Sequence, residues 1–115
     1  MKMNTNYIPQ KQDIVWIDFD PSSGKEIQKR RPAVVISNNN YNKQTGFIAV
    51  CPITHGQKRL QDQGLLVAVE SEKVDGFVNP FQLHTFDYQT RKASKITELD
   101  DFAFAQVTQL IQYIF

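Results

Sequence analysis

Three short apolar segments in the first half of the chain limit its possible folds more than any other feature. DIVWIDF, PAVVIS and FIAVCPIT are nearly continuous runs of β-branched, aromatic and other apolar residues. Runs of this kind are typical of strands buried on both faces, because no alternate position is left for solvent. Residues 65–70 and 77–86 predict two later strands, and Pro80 is expected to break or bulge the second of them.

The end of the chain has a helical period instead. Thr97 is a candidate N-cap, and the acids Glu98, Asp100 and Asp101 follow in the expected first turn. Apolar residues recur at helical spacing at Leu99, Ala103, Val107, Leu110, Ile111 and Ile114. About five or six short strands followed by one amphipathic helix predict a mainly β fold, a small and strongly bent barrel against which the helix packs.

Length and charge narrow the classes of protein further. The 115 residues suit a single domain spanning 1–115, in which residues 1–11 are expected to form a loosely held arm. A net charge of +1 argues against a polycation that coats nucleic acid, although it is compatible with a local basic patch.

No apolar run suggests a membrane span or signal sequence, so we expect a cytoplasmic protein without membrane contact. Cys51 is the only cysteine, and its apolar setting predicts a buried thiol.

A long charged loop separates the first two strand segments. It contains the cations Lys25, Lys29, Arg30 and Arg31 and the carboxylate Glu26. A tight hairpin would need only about two to five residues at this place. The loop is therefore either a solvated surface turn or a binding site for an anion.

The anion-site interpretation centres on Arg31. Pro32 follows it and restricts the backbone, and an arginine at the start of a strand can bind a phosphate through two parallel hydrogen bonds. Glu26 could hold this guanidinium or transfer a proton, and Thr54 offers a hydroxyl at the end of the third strand. If the second and third strands are antiparallel neighbours, Arg31 and Thr54 meet at one rim of the barrel.

Motifs for metals and cofactors are missing from the sequence. The two histidines, His55 and His84, are isolated, and there is no CxxC, HExxH, paired-aspartate calcium loop or glycine-rich phosphate loop. We therefore expect neither a metal nor another cofactor.

The motifs DIVWIDFDP, GKE, RPAVVIS, YNKQTG and CPIT resemble, in order and spacing, those of the MazF/PemK family of toxin endoribonucleases. A weaker similarity continues through DGFVNPFQLHTFD and the final helix, so the resemblance covers almost the whole chain. It implies an SH3-like bent antiparallel barrel of the CcdB/PemK type with a C-terminal helix, usually a homodimer. It also implies sequence-specific, metal-independent cleavage of single-stranded mRNA, and inhibition by a cognate MazE-like antitoxin whose disordered tail lies along the RNA groove.

The resemblance also implies roles for individual residues. Arg31 and Thr54 match the essential arginine and threonine of the family, and Glu26 matches its loop acid, so these three are the predicted catalytic residues. The chain departs from the family pattern at Gln12, IQKR, His55 and NPFQLH. These departures affect which RNA sequence is expected to be cut and which antitoxin is expected to bind. The predicted RNA contacts are Lys25, Lys29, Arg30, His55 and Gln82.

In the implied reaction, the 2′-hydroxyl of the RNA attacks the neighbouring phosphorus and leaves a 2′,3′-cyclic phosphate and a 5′-hydroxyl. Arg31 would stabilise the developing charge. Glu26 could serve as the base because of the resemblance, and His55 could do so because of its chemistry. His55 is alternatively an exposed loop residue or a base-stacking contact.

Two alternatives from other functional classes stay open. One is a non-catalytic toxin of the same fold that poisons DNA gyrase, which the apolar end of the final helix disfavours. The other is an SH3-like peptide-binding module, which the charged loop disfavours. Trp16 and Phe19 are expected in the core rather than as stacking platforms, and His84 in strand packing or the groove.

Overall fold

The computed structural model describes residues 7–20 and 29–115 of the chain, and seven strands and three helices lie within them. The strands are β1 (Asp13–Asp20), β2 (Lys29–Val35), β3 (Phe47–Thr54), β4 (Val67–Glu70), β5 (Asp75–Val78), β6 (His84–Asp87) and β7 (Ser94–Glu98). The helices are α1 (Asn39–Thr45), α2 (Lys58–Asp62) and α3 (Asp101–Ile111).

All strand pairs in these residues are antiparallel, and their order across the sheet is β4-β5-β3-β2-β1-β7. The remaining strand, β6, pairs with the first half of β3, whereas β5 pairs with its end. Because two strands share one edge of β3, the sheet must curl at this strand. The predicted class, a mainly β fold with a bent antiparallel barrel and a C-terminal helix, is confirmed, and the barrel takes the form of a curled half-barrel sheet.

Alternate residues of β1, β2 and β3 enter two apolar clusters on opposite faces of the sheet. The first cluster includes Ile14, Val34 and Cys51, and α3 covers it with Phe104 and Val107. The second cluster consists of Val15, Ile17, Ala33, Val35, Ile48, Val50, Phe86 and Tyr88. Burial on both faces is the physical reason that these three strands read as continuous apolar runs.

The final helix begins later than the sequence suggested. Asp100 is the N-cap, and its Oδ1 accepts a hydrogen bond of 2.7 Å from the backbone N–H of Ala103. The predicted N-cap, Thr97, is wrong because Thr97 lies in β7, opposite Ile14 of β1. Only Asp101 of the predicted acids lies in the first turn. No helix within residues 7–20 and 29–115 is long and apolar enough to cross a membrane.

The segment 77–86 is two strands rather than one. Val78 ends β5 and His84 begins β6, and the chain turns between them at residues 79–82. Asn79 stabilises this turn, because its Oδ1 accepts the N–H of Phe81 at 2.9 Å and its own N–H donates to the carbonyl of Pro52 at 3.0 Å. The predicted break at Pro80 is confirmed.

Two connections also contain helices. Asn39–Thr45 forms the short helix α1, and Gly46 ends it with φ of 79°. The connection between β3 and β4 contains α2.

The described part of the N-terminal arm is held rather than loose. Tyr7 Oη donates a hydrogen bond of 2.6 Å to the buried carboxylate of Asp13, and the backbone N–H of Lys11 donates to Asn39 Oδ1 at 2.8 Å. Pro9 is fully buried, and its carbonyl accepts from Asn42 Nδ2 at 2.8 Å. The prediction of a loose arm is therefore wrong for residues 7–11, and residues 1–6 lie outside the described residues.

Candidate functional site

The predicted loop position is wrong for Lys29, Arg30 and Arg31, which lie in β2. Arg31 and Thr54 lie level with each other across β2 and β3. Ala33 pairs with Pro52 in the antiparallel ladder, and continuing this register by two residues places Arg31 opposite Thr54. The predicted antiparallel pairing of the two strands is thus confirmed. Since residues opposite each other in a ladder point to the same face, both side chains reach the same rim of the sheet.

Thr54 carries a buried hydroxyl that has no partner in the described part of the chain. Its residue is 9% exposed, and among the described residues Oγ1 is the one buried side-chain oxygen or nitrogen that has no hydrogen bond. Such an atom destabilises a fold by about 1–3 kcal/mol unless something else satisfies it. An unsatisfied donor of this kind is suited to bind a ligand oxygen.

Two open cavities meet at Arg31 and Gln82, and together they form the rim groove. The cavity of about 360 Å³ is lined by Arg31, Pro32, Ile53, Thr54, His55, Gln57 and Gln82. The cavity of about 500 Å³ is lined by Phe19, Arg31, Pro52, Phe81, Gln82, Leu83 and His84. Four of the predicted site residues, Arg31, Thr54, His55 and Gln82, are therefore brought together here.

The turn at residues 79–82 places Gln82 in the groove. The N–H of Gln82 donates to the carbonyl of Asn79 at 3.3 Å, and the buried thiol of Cys51 lies 3.9 Å from the carbonyl of Pro80. Burial raises the pKa of the Cys51 thiol to about 12, so the group is a neutral thiol at neutral pH. Cys51 therefore supports the turn by packing and supplies no nucleophile.

His55 lies at the outer end of the groove, next to Thr54 in the chain. Its Nε2 is 3.7 Å from Asp75 Oδ1, and both side chains are exposed. The imidazole lies against Gly76, whose φ is 133°. A Cβ on Gly76 would lie 3.3 Å from His55 Nε2 and 2.9 Å from the Thr54 carbonyl, so glycine is required at this close approach.

Arg30 turns away from the groove. Its Nη1 donates to the buried carboxylate of Asp18 at 2.9 Å, and its Nη2 donates to the carbonyl of Lys92 at 2.8 Å and to Ser94 Oγ at 3.2 Å. Successive residues of a strand point to opposite faces, so Arg30 and Arg31 cannot both face the groove. The guanidinium of Arg30 therefore anchors β1, β2 and β7 in this structure, away from the predicted RNA site.

Three other predicted residues cannot be placed. Lys25 and Glu26 lie outside the described residues, as does the long loop that carries them. The backbone of Lys29 pairs with that of Asp20 at the start of β2, but its side chain lies outside the described part of the chain.

Phe19, for which the sequence predicted a core position, is only partly buried and lines the groove. The β1–β2 register shifts between Asp18 and Asp20, so Phe19 lies at a bulge and its ring lines the larger cavity. The ring packs edge-on against the rings of Phe86 and His84, with 5.1 and 5.3 Å between the ring centres. No local signal in the sequence marks the bulge. The predicted core position is wrong for Trp16, which is 40% exposed and lines neither cavity.

Arg91 fixes the chain at this bulge. Its Nη1 donates to the carbonyls of Asp18 and Phe19 at 3.1 and 3.0 Å, and its guanidinium carbon lies 4.4 Å from the centre of the Phe86 ring. Arg91 thereby holds both the wall of the groove and the end of β1, from which the charged loop departs. Nothing in the sequence near Arg91 indicated this contact, which spans more than seventy residues.

Residues 10–115 match the family described as PemK-like, MazF-like toxins of type II toxin–antitoxin systems. The chain is 33% identical over 93 residues to the endoribonuclease toxin MazF of Escherichia coli K12, a match that covers 81% of each chain. It is 38% identical over 90 residues to the endoribonuclease toxin ChpB of the same organism, covering 76% of this chain and 77% of ChpB. Its fold is similar to a crystal structure of MazE–MazF from Deinococcus radiodurans, with a TM-score of 0.84, 29% identity and coverage of 95% and 96% of the two chains.

Proposed function

The chain belongs to the family of PemK-like, MazF-like toxins of type II toxin–antitoxin systems, and from this membership we propose that it is an endoribonuclease toxin that cleaves single-stranded mRNA in the rim groove. The observation that carries the proposal is the buried Oγ1 of Thr54, which has no hydrogen-bond partner within residues 7–20 and 29–115 and belongs to the cavity that Arg31 also lines. The relatives named above are endoribonucleases, which favours this activity over the alternative of gyrase poisoning.

Arg31 is the proposed phosphate-binding and charge-stabilising residue. Its guanidinium is permanently charged and presents N–H donors in a plane, so it can bind two oxygens of the scissile phosphate at once. The negative charge on these oxygens grows as the phosphorane forms, and the same donors then bind more strongly. The supporting observation is that Arg31 lines both cavities of the groove.

Thr54 is the proposed second donor. Its hydroxyl can donate one hydrogen bond to a phosphate oxygen, which satisfies an atom that has no partner among the described residues. The register that places Thr54 opposite Arg31 supports a shared ligand. The two side chains thus approach one phosphate from neighbouring strands.

The proposed reaction is an internal transesterification that requires no metal or other cofactor. The 2′-hydroxyl loses its proton to a base, and its oxygen forms a bond to phosphorus while the bond from phosphorus to the 5′-oxygen breaks. The departing 5′-oxygen takes up a proton from solvent or an acid. The products are a 2′,3′-cyclic phosphate and a 5′-hydroxyl.

The RNA contacts are proposed from the groove and from the charged loop. Gln82 lies where the two cavities meet, and its amide can donate to and accept from base edges. Lys25 and Lys29 are proposed to contact the RNA backbone because of their charge. Glu26, which is close to Arg31 in the sequence, is proposed to hold its guanidinium.

A homodimer in the cytoplasm, inhibited by a disordered acidic antitoxin segment, is part of the same proposal. The similar crystal structure of MazE–MazF from Deinococcus radiodurans supports an antitoxin partner. Exposed apolar side chains on and after α3, among them Phe102, Tyr113 and Phe115, support association with a second copy. Sedimentation that shows only a 13.3 kDa species at micromolar concentration would contradict the dimer.

The activity is tested by incubating the purified protein with mixed RNA, with and without EDTA, and mapping the ends of the products. We expect cutting in EDTA, cyclic phosphate ends and no cutting at a site whose 2′-hydroxyl is removed. Cutting of the deoxy-substituted site contradicts the transesterification, and loss of activity in EDTA contradicts its independence of metals. The Arg31→Ala variant serves as the control for a contaminating nuclease.

A further inference from the structure

The proposed reaction needs a proton acceptor, and the phosphate-binding residues cannot supply it. Arg31 stays protonated in proteins, and the Thr54 hydroxyl is far too weak a base. Among the described residues that line the groove, only His55 and His84 carry an imidazole, the side chain that most often serves as a general base. The base is therefore sought between these two imidazoles.

His84 lies in the wrong part of the groove for this task. It lines the cavity that Phe19 lines, and Thr54 lines the other one. Its ring stacks on Phe86, with 5.4 Å between ring centres and 12° between planes. His55, in contrast, follows Thr54 directly and lines the same cavity as Arg31 and Thr54.

The side chain of His55 lies against strand β5. Its ring lies against Gly76 of β5, at a place where any Cβ would come within 3.3 Å of Nε2. The backbone of β5 is itself fixed there, because Phe77 pairs with Thr54 in the ladder. The imidazole thus lies beside the proposed phosphate site, and 70% of its side chain is exposed to solvent.

Asp75 provides a charge that orients the ring. Its Oδ1 lies 3.7 Å from His55 Nε2, which is too long for a hydrogen bond but close enough for the negative charge to favour a proton on Nε2. The lone pair is then on Nδ1. Among the described residues that line this cavity, Arg31 carries a charge. Lys58 of the neighbouring helix α2 points its Nζ to Asp62 Oδ1, at 3.1 Å.

We propose that His55 is the general base of the cleavage reaction and that Asp75 is its positioning residue, an assignment that rests on the proposed function. The Nδ1 of neutral His55 accepts the proton of the 2′-hydroxyl as the 2′-oxygen binds to phosphorus and the 5′-oxygen leaves. The imidazolium then returns its proton to the 5′-oxygen or to solvent, so no other reactant is consumed. Arg31 and Thr54 stabilise the phosphorane throughout.

The first test compares His55→Ala and His55→Gln with the wild type in single-turnover cleavage of one RNA across pH. Loss of a general base lowers the rate by about 100-fold or more. Both variants should lose the acid-side fall in rate, because no imidazole remains at this place to be protonated, and added imidazole should partly restore the cleavage by His55→Ala. His84→Ala should keep the acid-side fall, whatever its effect on the rate.

The second test distinguishes a positioning role of Asp75 from a purely structural role. Asp75→Asn should lower kcat by about two- to fivefold with KM unchanged, the range expected for an exposed charge pair. Nitrogen NMR of the two imidazoles should show less of the Nε2–H tautomer at His55 in this variant. Glu72→Gln, in the exposed turn before β5, is the matched control and should match the wild type in both readouts.

The outcomes distinguish failure of the proposed function from failure of the assignment of His55 as the base. Wild-type protein that cuts no RNA overturns both the proposed function and this assignment. Wild-type protein that cuts, together with a His55→Gln variant that cuts at a similar rate and keeps the acid-side fall, overturns the assignment alone and leaves Glu26 as the base. An unchanged His55 tautomer in Asp75→Asn overturns the role of Asp75.

Discussion

Arg30 Nη1 donates to Asp18 Oδ1 at 2.9 Å, and the two residues are also direct partners in the β1–β2 ladder. The next residue, Arg31, faces the opposite side of the strand and lines the groove. Two neighbouring arginines of the charged segment therefore have separable tasks. Variants of Arg30 should mainly affect stability, and variants of Arg31 should mainly affect activity.

Arg31→Ala should lower the cleavage rate by about 10²–10³, since it removes a preorganised donor to the phosphorane. Arg31→Lys should restore little, because a point charge cannot make the two parallel hydrogen bonds. The measurement is single-turnover cleavage of one defined RNA, with thermal unfolding as the control for folding. An Arg31→Lys variant as active as the wild type would contradict the bidentate contact.

Thr54→Val should make the protein more stable and less active at the same time. Valine has nearly the shape of threonine but removes the buried hydroxyl, which lacks a partner among the described residues. The gain in the free energy of unfolding should be about 1–3 kcal/mol at most. Thr54→Ser, which keeps a hydroxyl, should retain more activity than Thr54→Val.

Urea unfolding and single-turnover kinetics check the Thr54 variants. A Thr54→Val protein that is both destabilised and fully active would mean that the hydroxyl serves the fold rather than the reaction.

Arg30→Ala should destabilise the fold by about 1–3 kcal/mol, because it leaves the Asp18 carboxylate buried with one fewer charged donor. The Asp18→Asn change should be less harmful in the Arg30→Ala background than in the wild type. A double-mutant cycle of unfolding free energies measures this coupling. Additive effects of the two changes would show that the contact contributes nothing to stability.

Asp87 should make a part of the stability depend on pH. The backbone N–H groups of Thr90 and Gln89 donate to its carboxylate at 3.1 and 3.0 Å, and these bonds lower the pKa of Asp87. A lowered folded-state pKa stabilises the fold above the unfolded-state pKa, and the contribution is lost as the pH falls through the folded-state value. The wild type should therefore exceed Asp87→Asn in stability at neutral pH but not in strong acid.

Thermal unfolding of both proteins across this pH range provides the comparison for Asp87. Because Asp87 is exposed, the difference should be small. A difference that persists unchanged in strong acid would show that the carboxylate charge is not its cause.

The order and approximate extent of the main strands could be predicted from the sequence. Segments such as PAVVIS are buried on both faces, and this burial leaves a run of apolar residues that can be recognised in the sequence. The meeting of Arg31 and Thr54 was also predictable. It requires only that one strand starts where its antiparallel neighbour ends.

The element boundaries near the end of the chain were less accessible. Thr97 has the chemistry of an N-cap, but pairing of its backbone with β1 competes with helix formation, and Asp100 caps the helix instead. Local propensity is similar for the two residues. The edge of the sheet, which is a tertiary feature, decides between them.

The fold class, the strand that follows Arg31 and the strand that ends in Thr54 could be predicted from the sequence, because apolar period and turn chemistry are local properties. Tertiary structure alone decided that Arg30 contacts Asp18, that a bulge turns Phe19 into the groove, and that Asp75 lies beside His55. These contacts join residues from different strands. Their geometry depends on how the sheet bends and shifts in register, which no local pattern of residues encodes.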